Sequence, residues 1–470
     1  MLFSSTFFLA AFLPAALIGY HFVFRNIKWK NYFLLIISLL FYAWGEPLYV
    51  LLMLGSIATN YFLGLAVDKT AETHTRKFLL CLTVILNLSS LFYFKYFSFI
   101  IRNINILFHS DLTVPNISLP IGISFFTFQA MSYVFDVYRK TTEVQKNPLY
   151  LALYISFFPQ LIAGPIVRYN TIAEQIQSRS VTFEKFESGV CRFIQGFGKK
   201  VIISNTLSVT AEHVFSLAAD QQLSISLAWI GALAYTFQIF FDFSGYSDMA
   251  IGLGRFFGFE FEENFRYPYL SRSVSEFWNR WHISLGQWFR DYVYFPLGGS
   301  RVKKLKLVRN LFIVWLLTGI WHGAAWQFIL WGLGYGIIIT FEKLTNLPKK
   351  LKSSTAITLY GIFTFLTVIL GWVLFGSYGI QPALYQIGAM FGLHATEAWD
   401  LYSIFTLREY GIYFIMAIIF STPLPKNISE RLPKTALYDV CKAISYISIL
   451  IISVSFLLMG AHNPFIYFNF

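Results

Sequence analysis

LFIVWLLTGIWHGAAWQFILWGLGYGIIITF, residues 311–341, contains no Asp, Glu, Lys or Arg, yet it places an imidazole, His322, near its middle. The apolar segment around it runs from 308 to 341, longer than the ~20 residues a helix needs to cross about 30 Å of hydrocarbon. Basic loops flank it on both sides. Residues 255–309 carry ten Lys and Arg against five acids, and Lys343, Lys349, Lys350 and Lys352 follow the segment. Loops rich in Lys and Arg stay on the cytoplasmic side, so one straight crossing would leave one of them on the wrong face. A break near Thr318 and Gly319 resolves the conflict. It predicts a bent or hairpin segment that enters and returns, with His322 near its apex. The alternative is one long tilted helix with a loop that breaks the rule.

Working outward, similar apolar stretches recur along all 470 residues, of which 56% are hydrophobic, 20% aromatic and only 13% charged. Length and hydropathy place spans at about 6–24, 31–43, 48–67, 78–101, 119–138, 149–167, 190–216, 225–256, 308–341, 356–376, 408–423 and 440–460. The expectation is an all-α, polytopic membrane protein with about 10 to 12 membrane segments. It forms one membrane domain over 1–470, and no stretch reads as a separate soluble domain. The run Phe7–Phe24 has no basic residue before it and no small-residue cleavage site after it, so it reads as a retained span with the start of the chain outside. The net charge of +12 belongs to loops bordering spans and to contact with anionic headgroups. It does not point to nucleic acid. Cys81, Cys191 and Cys441 are far apart and form no C-x-x-C, which argues against zinc and against a disulfide framework.

Two stretches read as broken. SLPIGISFFTFQAMSYVFDVYR (118–139) has Pro120 and Gly122 near its start, and SFFPQLIAGPIVRY (156–169) has Pro159, Gly164 and Pro165. Proline removes a helix donor and clashes with the preceding turn. Irregular backbone at membrane depth needs cover from protein or a water-filled cavity. These stretches are either re-entrant elements or Pro-kinked spans.

SRSVSEFWNRWHISLGQWFRDYVYFPLGGSR (271–301) opens with a capping box, Ser273 and Glu276. Trp281, Leu285, Trp288 and Tyr292 then recur at helical spacing. This predicts an amphipathic helix in the membrane interface, ended by Pro296 and Gly298-Gly299. From spacing alone, His282 reads first as an interfacial, structural histidine. His322 reads as functional, because ionisable groups inside spans face a cavity or a partner. Its neighbours Gly319 and Gly323 leave room for a substrate. No H-E-x-x-H pattern or adjacent carboxylate marks a metal site, and a neutral imidazole in a low-dielectric site suits a general base. Asp242 and Asp248, six residues apart, read as groups that orient a histidine, bind a cation or cap a broken helix. Gly252-Leu253-Gly254 lacks the strand–helix context of a nucleotide fold.

FFDFSGYSDMAIG (240–252), ENF (263–265) followed by PY (268–269), FWNRWHISLGQWFRDYVYFPLGGSR (277–301) and GIWHGAAW (319–326) together resemble the membrane-bound O-acyltransferase family. The resemblance is densest over 235–331. It extends more loosely to PIGISFFTFQ (120–129), AGPI (163–166) and NPFIYFNF (463–470). Phe241 stands where many relatives have Tyr. Within the family the chain looks like the bacterial branch that O-acetylates exported polysaccharides such as alginate and peptidoglycan.

The resemblance implies tilted helices ringed around a thin centre with a tunnel joining both faces, in the bacterial cytoplasmic (inner) membrane. His322 matches the family's essential membrane-embedded histidine, and His282 the second histidine of its W-x-x-W-H element. Asp242 and Asn279 fall on motif positions, and Trp321 accompanies His322. It further implies transfer of an acetyl group from a cytoplasmic thioester, acetyl-CoA, with no other cofactor. His322 would act as general base or as an acetylated nucleophile, and His282 or Asn279 would bind the oxyanion or position the donor. The acceptor would be a sugar hydroxyl or a serine of an extracytoplasmic partner protein. The alternatives are D-alanyl transfer from a carrier protein to teichoic acid, transport of a lipid-linked glycan and, more weakly, acylation of a lipid.

Overall fold

The computed structural model describes residues 1–460, 463, 464 and 466. The motif stretch NPFIYFNF therefore lies mostly outside the described residues. Among them the secondary structure is helical throughout, with no strand. Among the described residues eight helices are long and apolar enough to cross a membrane: Tyr49–Lys69, Thr73–Phe108, Phe183–Ala219, Ile225–Phe256, Trp326–Thr345, Ser354–Gly376, Leu401–Phe420 and Ala436–Leu458. A shorter apolar helix covers Phe8–Val23. The protein is a multi-pass membrane protein. It packs as two compact units, Met1–Phe193 with Met249–Glu262, and Ile194–Asp248 with Glu263–Phe470.

In the first unit, α1 (Ile123–Tyr138) is buried along nearly its whole length. The 149–167 stretch is no single span. It divides into α2 (Pro148–Ser156), a short turn of helix Phe158–Leu161 and an irregular run up to Arg168. Side chains serve the backbone that the prolines release. The Phe158 N–H donates to Ser38 Oγ (3.1 Å), the Tyr154 carbonyl accepts from Gln129 and Gln160 (2.9 and 2.7 Å), and the Tyr154 hydroxyl donates to the Val167 carbonyl (2.9 Å). Irregular backbone in a membrane protein survives on such internal partners.

In the second unit, a Cβ on Gly245 would sit 2.8 Å from the Gly196 carbonyl oxygen. Helix Ile225–Phe256, here α3, therefore lies backbone to backbone against the π-helical turn Lys199–Ser204. Small residues permit such approach between membrane helices. The contact faces two lysines onto two aspartates: Lys200 meets Asp242 at 2.6 Å with both side chains buried, and Lys199 meets Asp248 at 2.7 Å.

The 271–301 stretch is an arm of two helices, α4 (Val274–Arg280) and α5 (Ile283–Phe289), the second running on into a π-helical turn to Tyr294. The capping box forms as expected at its start: Ser273 Oγ accepts from the Glu276 N–H (3.1 Å), and the Glu276 carboxylate accepts from the Arg272 N–H (2.9 Å).

The 308–341 stretch divides into α6 (Lys304–His322) and α7 (Trp326–Thr345). Their seam is antiparallel. Cβ atoms added to Gly336, Gly332 and Gly323 would strike Trp315, the Trp315 carbonyl with Gly319, and Phe328 in turn. The hairpin expected from the charge of the flanking loops is present, with His322 at its apex. The chain turns at Gly323–Ala325, one helical turn later than expected, because Gly319 is used for the seam. After the hairpin, α8 (Ser354–Gly376) runs as a further span.

Candidate active site

The arm is docked onto the hairpin through helix ends. The first N–H groups of a helix have no partner inside it, and here other elements supply partners. Glu342, buried near the end of α7, accepts from the N–H groups of Val274 (2.9 Å) and Ser275 (2.8 Å) at the start of α4, and from the Tyr360 hydroxyl (2.9 Å). Asn310, buried in α6, donates to the carbonyls of Leu297 (3.0 Å) and Gly299 (3.2 Å) at the far end of the arm. Between them, Trp278 packs edge-on against Trp315, Trp331 and Tyr335 with ring centroids 5.0–5.2 Å apart. Each such pair is worth roughly 0.5–1.5 kcal/mol beyond its buried area.

The arm is not the single continuous helix that its spacing predicts. It breaks at His282, which adopts a left-handed backbone (φ 45°), a conformation costing on the order of 1–3 kcal/mol for a residue other than glycine. The aromatic stripe is nevertheless the expected one: Trp281, Leu285, Trp288 and Tyr292 are all buried. His282 is only 2% exposed: it lies inside the protein and not at its surface.

Asn264 holds this break. Its carbonyl accepts from the Ile283 N–H (3.0 Å), and its Oδ1 accepts from the Ser284 N–H (3.1 Å) and Ser284 Oγ (3.0 Å). Asn264 therefore caps α5 from eighteen residues upstream. The same Oδ1 faces His282 Nδ1 at 3.3 Å. The Ser284 N–H can only donate, which identifies that amide atom as oxygen, so Nδ1 of His282 carries the proton and Nε2 the lone pair. Burial holds this imidazole at about 3, below its usual 6.5, and it is neutral at neutral pH. Asn264 was not singled out from the sequence; the ENF element contained it, but without any sign of what it would meet.

His322 ends α6 and is 4% exposed. Its ring lies edge-on to Trp321, Trp331 and Phe375 at 5.0–5.1 Å between centroids. Trp321 also contacts His282 at 6.0 Å, and Phe243 of α3 lies edge-on to His282 at 4.6 Å. The two histidines, forty residues apart in the chain, thus share one indole.

The remaining candidates separate from this cluster. Asp242 is one residue from Phe243, but its carboxylate is engaged by Lys200 on one oxygen and accepts from the Ile466 N–H (3.0 Å) on the other. The Lys200 ammonium also reaches the Pro464 carbonyl. Asp242 therefore neither orients a histidine nor waits for a cation; it ties the chain's last described residues to α3. Asp248 is taken by Lys199. Asn279 stands on the exposed side of α4.

Residues 123–378 match the model of the membrane-bound O-acyltransferase family. The chain belongs to that family. This membrane-bound O-acyltransferase is 44% identical over 396 residues to a probable alginate O-acetylase AlgI of Pseudomonas syringae pv. tomato, covering 83% of this chain and 75% of the relative. It is 34% identical over 516 residues to a peptidoglycan O-acetyltransferase of Helicobacter pylori, covering 100% and 98%. A teichoic acid D-alanyltransferase of Bacillus subtilis is 32% identical over 275 residues, covering 55% of this chain and 68% of the relative. Membership makes the protein an O-acyltransferase and sets aside the transporter alternative.

The Asn264 contacts can be tested on this enzyme. Asn264→Ala removes the acceptor for three buried donors, and each orphaned donor costs about 1–3 kcal/mol. The unfolding temperature and the transfer rate should both fall. Asn264→Asp keeps the acceptor but puts a carboxylate beside His282, which favours the imidazolium and raises its pKa by on the order of 1–3 units. The acidic limb of the pH–rate profile should then move to higher pH. An Asn264→Ala enzyme with wild-type rate and stability would refute the assignment.

Proposed function

We propose that the protein transfers acetyl groups from a cytoplasmic thioester, acetyl-CoA, toward hydroxyls of an exported cell-envelope polysaccharide, in a bacterial cytoplasmic membrane. The observation that carries this reading is the convergence of His282 and His322 on Trp321 at the hairpin apex, in a chain whose relatives over most of its length are named for O-acetylation of alginate and peptidoglycan. The basic 255–309 segment raises the local concentration of the donor's phosphates, and the acetyl end meets the apex through a passage between the helices.

His322 removes the proton from the acceptor hydroxyl as its oxygen attacks the thioester carbonyl. The tetrahedral intermediate then expels the thiolate as the C–S bond breaks, and the thiolate takes the proton back from His322. Removal and return of the proton each require contact within about 3 Å, directly or through one water. His282 takes a different part from the oxyanion donor that the resemblance implies. Its Nδ1 proton is committed to Asn264, so the neutral ring offers a lone pair at Nε2. It accepts a hydrogen bond from a hydroxyl neighbouring the one that attacks and so orients the sugar, leaving the attacking hydroxyl's single proton to His322. The acceptor is a sugar hydroxyl or a serine of an extracytoplasmic acetyltransferase partner that completes delivery.

The test is base-labile acetate on extracytoplasmic polysaccharide, in cells carrying this chain or an empty vector. Acetate above the vector level supports the reading. Equal acetate with a rise in base-labile D-alanine would move the donor to a carrier protein and the acceptor to teichoic acid.

A further inference from the structure

We propose that a groove beside the first half of α8 binds one anionic phospholipid of the cytoplasmic leaflet, with the phosphate held between Arg272 and Lys352. The groove belongs wholly to the second unit, lies between residues 269–272 and α8, and has a volume of about 580 Å³. Its lining changes character along the helix. Lys352, Ser354, Ile357 and Thr358 come first, a cation and two hydroxyls with one aliphatic side chain, and Ile362, Phe365 and Leu366 follow. The backbone of Arg272 lies against Gly361, 4.0 Å from where a Cβ would be. Gly361 itself adds no side chain at this point.

Three observations choose the occupant. The first is charge. Arg272 and Lys352 are exposed, no ion pair engages either one among the described residues, and no carboxylate lines the groove. Two free cations with adjacent hydroxyls fit a phosphodiester. The second is the apolar end. Leu359, Ile362, Phe363 and Leu366 are exposed on a helix long and apolar enough to span, so the groove opens where acyl chains run. A soluble polyanion would leave that wall unused, whereas a phospholipid fills both ends at once. The third is the side of the membrane. Lys343, Lys349 and Lys350 precede the groove in the chain, and such loops are cytoplasmic. Basic pockets between helices at that face suit anionic headgroups. Arg272 adjoins Ser273, the N-cap of α4, so an occupied groove would brace the root of the arm that carries His282.

The experiment is native mass spectrometry of the full-length protein in detergent after incubation with phosphatidylglycerol or phosphatidylcholine. The wild type should retain one phosphatidylglycerol with a preference of roughly 10–30-fold over phosphatidylcholine, the scale of two juxtamembrane cations. The R272Q/K352Q variant should lose that preference, and the charge-conserving R272K/K352R variant should keep it. The K349Q/K350Q variant, with the same charge change outside the groove, should also keep it. The proposal is overturned if the wild type retains no phosphatidylglycerol, if K349Q/K350Q loses as much as R272Q/K352Q, or if coenzyme A displaces the lipid. The last result would assign the two cations to a soluble phosphate donor.

Discussion

Replacing His322 with alanine should lower the acyl-transfer rate roughly 10²–10⁴-fold, the usual contribution of a positioned general base. The protein should still reach the membrane folded. The substitution removes a ring packed by Trp321, Trp331 and Phe375 and leaves a cavity, while the hydrogen bonds at the helix ends and the glycine seam stay in place. His322→Gln restores most of the volume and a hydrogen-bonding end without a base, and it should be as slow as the alanine variant. Steady-state transfer of labelled acetyl groups at matched membrane levels, with unfolding temperatures of both variants, separates the two roles. A glutamine variant at wild-type rate would make His322 a packing residue and move the chemistry to His282.

Glu342→Ala should destabilise the protein by roughly 3–6 kcal/mol. The carboxylate accepts one buried hydrogen bond, from the Val274 N–H, and two partly buried ones, from the Ser275 N–H and the Tyr360 hydroxyl; each orphaned donor costs about 1–3 kcal/mol, less where water reaches it. Glu342→Gln retains one acceptor oxygen and should lose about half as much, while Tyr360→Phe removes a single bond and should cost only about 0.5–1.5 kcal/mol. Thermal unfolding in detergent gives the ranking directly. An alanine variant that melts with the wild type would mean that α4 is not held by this side chain. Glu342 lies far from His322 along α7, so loss of transfer in the alanine variant should follow loss of folded protein and not precede it.

The hairpin was legible because two independent signals agreed: an uncharged run too long for one crossing, and basic loops at both ends. Its turn was misplaced because a glycine in an apolar run serves equally as a bend or as a close contact, and Gly319 proved to be the contact. The arm shows the same division. Hydrophobic spacing gave the buried set Trp281, Leu285, Trp288 and Tyr292, since burial depends on which side chains share a face. The break at His282 was not legible, because its cause is Asn264, which shares no helical period with the arm. The partners of Asp242 and Asp248 could have been found: Lys199 and Lys200 are two adjacent cations inside an otherwise apolar stretch, and such cations call for acids on a neighbouring span. The convergence of the two histidines was not visible in the sequence, because it depends on how Trp278 and Glu342 dock the arm against α7.

The hairpin also works as a depth gauge. Its 19-residue first helix rises roughly 28 Å at 1.5 Å per residue, close to the ~30 Å thickness of the hydrocarbon layer. The seam is backbone against backbone, so neither helix can slide without parting the glycines. The reach of the apex is therefore counted in residues: one inserted turn would move the imidazole by about 5.4 Å relative to the hairpin's two ends.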